Sequence, residues 1–128
     1  MTVRLTGLIQ VVTGAGIGGG LRYLLGAWTT SRWGTGFPWH TLAINVVGAF
    51  LLGVLIALSV ERHALSRDLL LFVGVGVLGG FTTFSTLSYE SVALVLQGNA
   101  LQGIGYMFGS AALGLVACAA GLLVGKLV

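Results

Sequence analysis

Three stretches without a single formal charge run through this chain, from Trp33 to Val60, from Leu69 to Tyr89 and from Ser91 to Gly125. Each reaches the roughly 20 residues that a helix needs to cross a bilayer. Charged residues are 7% of the 128, against about 25% in a soluble domain. Hydrophobic residues make up 56% and the mean hydropathy is +1.04. A wet surface is excluded, and the expected class is an all-α membrane protein embedded in a lipid bilayer.

Punctuation in the sequence divides it into four transmembrane helices in a single domain spanning residues 1–128, at about 5–28, 39–60, 69–96 and 100–127. Gly34, Gly36 and Pro38 mark the first turn. Glu61-Arg62-His63 through Arg67-Asp68 is the most polar stretch and forms the second, and Gly98-Asn99 is the third. An even number of crossings leaves both termini on one side. That side holds Arg4, Arg62, Arg67 and Lys126, and the other holds Arg32 and Arg22. Orientation follows the Lys/Arg bias of short loops, and so small a bias suits insertion in both directions. Trp28, Trp33 and Trp39 cluster around the first turn, where amphipathic rings fit the headgroup region.

The net charge of +3 comes from six scattered basic residues, which make no nucleic-acid footprint. No small-residue cleavage site follows a short apolar core at the N-terminus, so the first helix is expected to stay. Cys118 stands alone in an apolar run and offers neither a disulfide nor a metal pair. The 22 glycines recur at four-residue spacing in Gly14/Gly18, Gly16/Gly20, Gly76/Gly80, Gly105/Gly109 and Gly121/Gly125, a pattern that lets membrane helices approach closely.

Two segments, Gly14 to Gly19 and Gly74 to Gly79, resemble the dinucleotide fingerprint G-x-G-x-x-G. Neither has the acidic residue about 20 positions on that such a site requires. The hydroxyls from Thr82 to Ser88 suggest nucleophiles, but the only histidines, His40 and His63, sit near segment ends, and the sequence places no carboxylate to orient either as a base. No enzyme is expected.

The third segment is interrupted by Gly79-Gly80-Phe81-Thr82-Thr83-Phe84-Ser85-Thr86. Helix unwound at membrane depth is tolerated only where protein or a water-filled cavity covers it. Its carbonyls then suit a cation and its hydroxyls an anion. A small, strongly hydrated anion needs donors in place of its lost water, and Asn45, Thr82, Thr83, Ser85, Thr86, Tyr106 and Ser110 can donate. Aromatic edges are electropositive, so Phe84 can meet an anion edge-on. Polar groups at membrane depth generally have a partner or a function, which singles out Arg22, Asn45 and Glu90 without assigning their roles.

These residues resemble the Fluc/CrcB family of fluoride channels across nearly the whole chain. The matching pieces are Gly16 to Tyr23, Gly36 to Phe50 with Thr41 and Asn45, and Gly79 to Thr86. The resemblance implies an antiparallel, dual-topology homodimer with two pores in the cell (inner) membrane. It would let fluoride leave the cytoplasm passively and so lower fluoride toxicity. It implies a fluoride pathway of Asn45, Phe84, Ser85, Thr41, Thr86, Tyr106 and Ser110. A structural sodium ion at the dimer centre would be held by the carbonyls of Gly79 and Thr82. The family commonly has a second phenylalanine three positions after the first, where this chain has Leu87. The alternative class is a proton-coupled small multidrug exporter; that family depends on a glutamate in its first helix, and this first segment has no acid.

Overall fold

The computed structural model describes residues 2–128. Four spans are long and apolar enough to cross a membrane. Two of them are single helices at the N-terminal end, α1 (Leu5–Trp33) and α2 (Trp39–Val60). The third span, Arg67–Leu96, is divided into α3 (67–81) and α4 (Phe84–Leu96), and the fourth is α5 (Ala100–Leu127).

Helix α1 continues past Trp28, where the hydrophobic pattern ends, because its last turn is satisfied locally. The Thr29 hydroxyl donates to the Leu25 carbonyl and the Ser31 hydroxyl to the Trp28 carbonyl. Trp28 meets Trp33 edge to face with centroids 5.7 Å apart, and the Arg32 guanidinium lies over the Trp28 ring. The helix stops at Gly34, whose φ of 74° suits glycine and few other residues. Pro38 precedes α2, where its missing N–H costs nothing. Ser66 caps α3 by accepting from the Leu69 amide at 3.2 Å. Over Leu70–Leu78 the winding is wider than α, with i to i+5 bonds such as Gly79 N–H to the Gly74 carbonyl.

Packing is set by glycine more than by large side chains. Helix α1 lies on α3 so closely that a Cβ on Gly14 would sit 2.9 Å from the Gly76 Cα, and one on Gly76 would sit 3.0 Å from the Gly14 Cα. Gly121 and Gly53 do the same between α5 and α2, each against the other helix's backbone. Without a hydrophobic drive in lipid, such close van der Waals contact supplies the association energy. Gly16, Gly20, Gly105 and Gly109 meet nothing within 4 Å inside the subunit.

Arg4 pairs with Asp68 at 3.3 Å and Lys126 with Glu61 at 2.9 Å, which fixes both termini and the second turn at one end. These pairs are exposed and worth little individually. Cys118 is half-buried on α5, and its carbonyl lies where a Cβ on Gly53 would go. The result is a multi-pass membrane protein whose third span breaks at Thr82-Thr83.

Candidate functional site at the helix break

The break is a hydrogen-bonding exchange. Thr82 and Thr83 are extended, with ψ of 156° and 121°. Two amides that would continue the helix are spent elsewhere. The Thr83 amide, due to the Gly79 carbonyl, donates to Asn45 Oδ1 at 2.8 Å. The Thr86 amide, due to the Thr82 carbonyl, donates to Thr83 Oγ1 at 3.2 Å. Asn45 closes the loop by donating from Nδ2 to the Thr83 carbonyl at 3.0 Å. One side chain on α2 therefore replaces a helical partner on both sides of the Thr83 peptide, and the Gly79 and Thr82 carbonyls lose their i+4 amides. Gly79 and Thr82 line a common cavity of about 250 Å³ with Asn45 and Gly48.

Thr83 also starts α4. Its hydroxyl accepts from the Thr86 amide and donates to the Thr86 hydroxyl at 3.0 Å, with Ser85 Oγ at 3.4 Å. The Thr86 hydroxyl proton is left free to donate, and the Ser85 hydroxyl is shared between Thr83 Oγ1 and the space beside it. Ser85 and Thr86 face a cavity of about 810 Å³ that opens toward the first turn, between α1, α2 and α4. Arg22, half-buried on α1, lines the same cavity with His40 and Thr41 and makes no ion pair among the described residues.

Deeper in, Asn45, Phe84, Leu87, Phe108 and Ser110 line a second cavity of about 390 Å³. The Ser110 hydroxyl is buried and has no hydrogen-bond partner among the described residues. Phe84 is 73% exposed on the subunit surface, and Phe108 is similarly exposed. Leu87 is 7% exposed and belongs to a cluster with Leu94 and Tyr106, yet one side of it faces this cavity.

Glu90 joins two of the expected pathway residues. Thr41 Oγ1 donates to its Oε1 at 2.8 Å and the Tyr106 hydroxyl to its Oε2 at 2.6 Å. Thr41 and Tyr106 thus anchor a carboxylate, and their hydroxyl protons are committed to it. Sequence reasoning had no signal for this, because the three residues lie on α2, α4 and α5. Contrary to the sequence reading of the histidines, a carboxylate does stand beside His40: Nε2 is 3.7 Å from Glu90 Oε1. The fold brings together positions fifty residues apart. His63 lies in the exposed second turn.

The expected site residues therefore fall in three connected groups. Thr41 and Tyr106 gather on Glu90 near the first turn, Ser85 and Thr86 lie one layer deeper, and Asn45, Phe84 and Ser110 surround the break. No group of three or more His, Cys, Asp or Glu stands together among the described residues, so any cation at the break has carbonyls and hydroxyls for ligands.

A family model described as CrcB-like protein, Camphor Resistance (CrcB), matches residues 9–122. The fluoride-specific ion channel FluC of one strain of Thermus thermophilus is 51% identical over 108 residues, which is 84% of each chain. That of Chloroflexus aurantiacus is 44% identical over 119 residues, covering 93% of this chain and 94% of the relative. That of Agrobacterium fabrum is 43% identical over 116 residues, covering 91% and 93%. This chain belongs to the CrcB-like family.

Proposed function

We propose that this chain forms a fluoride-selective channel that gives fluoride a passive way out of the cytoplasm and so lowers its toxicity. The observation that supports it best is the file of uncommitted donors through an otherwise apolar subunit. These are the Thr86 hydroxyl, the unpartnered Ser110 hydroxyl and the second Asn45 N–H, with the Ser85 hydroxyl shared with Thr83, beside the Phe84 ring. A compact anion must trade its water for donors and positive ring edges, and these groups carry no net charge that would hold it too tightly to leave. Arg22 at the wide cavity adds the attraction that concentrates anions at the entrance. The names of the relatives agree with this reading.

The channel works as a homodimer of oppositely oriented subunits in the cell inner membrane. Support comes from what one subunit leaves open. Phe84 and Phe108 are exposed beside the donors, and the glycines at 105 and 109 meet nothing within the subunit. A sodium ion at the dimer centre, with a structural role, fits the residues present. The Gly79 and Thr82 carbonyls have lost their helical amides, Gly79 is exposed, and a hard cation takes oxygen ligands. Each subunit would contribute these two carbonyls.

Purified protein in liposomes, assayed for fluoride against chloride efflux, tests the reading. Fluoride efflux with chloride retained is expected; equal rates, or none, would overturn it. No observation favours a proton-coupled exporter. Helix α1 contains no carboxylate, and the one at depth, Glu90, is tied to two hydroxyls.

A further inference from the structure

The main cavity and a smaller one share a wall. The smaller space, about 190 Å³, is lined by the first turn from Gly34 to Pro38 and by Tyr89, Glu90 and Gln97. His40 faces both cavities. Its ring occupies a gap that glycine provides on α1, since a Cβ on Gly26 would lie 3.5 Å from the ring Cδ2. Its Nε2 stands 3.7 Å from Glu90 Oε1, the oxygen that also accepts from Thr41. The His40 and Glu90 side chains are 29% and 17% exposed, so screening between them is incomplete.

We propose that His40 is a positioning residue whose protonation sets the rate of anion entry by acting through Glu90. The groups that bear on it come from every neighbouring helix. Arg22 and Tyr23 on α1 line the main cavity, Glu90 and Tyr89 lie on α4, and the Tyr106 hydroxyl on α5 holds the far carboxylate oxygen. Among these, with the imidazole neutral, Arg22 is the cation on the main cavity, and Glu90, which lines the smaller one, offsets part of its attraction for fluoride. With the imidazolium formed, the site gains one positive charge. The carboxylate is then drawn toward His40 and its grip on the Thr41 hydroxyl loosens, which frees that proton to donate into the cavity. Both effects favour an incoming anion. Entry is fast when His40 is charged and slow when it is neutral, so conduction is expected to rise on acidification.

This rests on the fluoride-channel reading, and the test separates the two. Fluoride efflux is measured from liposomes between about pH 7.5 and 5.5, the window of histidine charge change, for the wild-type chain, His40→Gln and His40→Lys. Protein-free liposomes are subtracted at each pH to remove leakage of the neutral acid. The wild-type rate is expected to rise roughly three- to tenfold on acidification, as for one charge acting at close range in a partly screened site. His40→Gln is expected to be flat and slow, and His40→Lys flat and fast. A histidine that only filled space would leave the two variants alike. The proposal is overturned if wild type conducts fluoride without pH dependence, or if His40→Gln keeps the wild-type rise. Absence of fluoride efflux from wild type at every pH would overturn the channel reading and this proposal with it.

Discussion

Asn45 is the residue on which the site turns, because both of its amide groups bond one peptide at the break. Asn45→Ala leaves the Thr83 N–H and carbonyl without partners, at a cost of about 1–3 kcal/mol for each buried group. The thermal midpoint in detergent is expected to fall, and fluoride efflux with it. Thr83→Ala removes the cap on α4 together with the hydroxyl contacts to Thr86 and Ser85 and leaves the Asn45 bonds in place, at a cost of about 1 kcal/mol for the cap, so its midpoint should lie between those of Asn45→Ala and wild type. Leu87 sits where the cavity beside Phe84 has room to accept a ring. Leu87→Phe is therefore expected to fold and to change the fluoride rate, since its edge adds positive potential to the pathway. An unchanged rate would remove Leu87 from the path. The sequence made Asn45 and Phe84 stand out through their polarity and their neighbours. It held no hint of the Glu90 anchor, because a hydroxyl on α2 and a phenol on α5 reach it only through tertiary packing.

At the scale of elements, the four spans were legible from uncharged length alone, and the break from a run of glycine and threonine. The extra turn of α1 was not, because Thr29, Ser31 and Arg32 read as loop, while their bonds to the preceding carbonyls and the tryptophan ring keep them helical. Nor could the spacing of glycines say which pairs are used inside one subunit. The fold separates them: Gly14 and Gly18 press on α3, and Gly16 and Gly20 face open space. Gly18→Val should push α1 off the Val77 carbonyl and destabilise by about 1–3 kcal/mol, as overpacking does. Gly16→Val should leave the subunit's stability within about 0.5 kcal/mol of wild type, as substitutions away from packed contacts do. A shift of equal size in both would mean that glycine acts here through helix propensity rather than through close approach.

Across the whole molecule, charge is distributed so evenly that neither end is strongly marked for the cytoplasm. The end with the termini has four basic residues, but Asp68 and Glu61 sit against Arg4 and Lys126. The opposite end has Arg22 and Arg32 and no exposed acid of its own, since Glu90 is drawn inward. Loop orientation responds to Lys and Arg more than to acids, so the count that matters is four against two, a preference small enough for a few substitutions to tip it. A mixed population is what the proposed antiparallel dimer would require, since its pore pathways would take subunits of both orientations. The prediction is read with a lone reporter cysteine at Thr2 or Thr35 in a Cys118→Ala background, using a membrane-impermeant thiol reagent on intact cells. Each site should label in part from outside and fully only after permeabilisation. Adding two lysines to the first turn, at Thr35 and Gly36, brings the two ends level at four basic residues, and replacing Arg62 and Arg67 by Gln as well should drive that turn to the cytoplasm. Labelling at Thr2 would become complete from outside, and fluoride efflux would collapse for want of oppositely oriented partners. Co-expression with a chain biased the other way, with its basic residues removed from the first turn, should restore efflux. Full activity from a population oriented in one direction would rule out the antiparallel dimer and leave the donor file within each subunit to be explained by a parallel assembly.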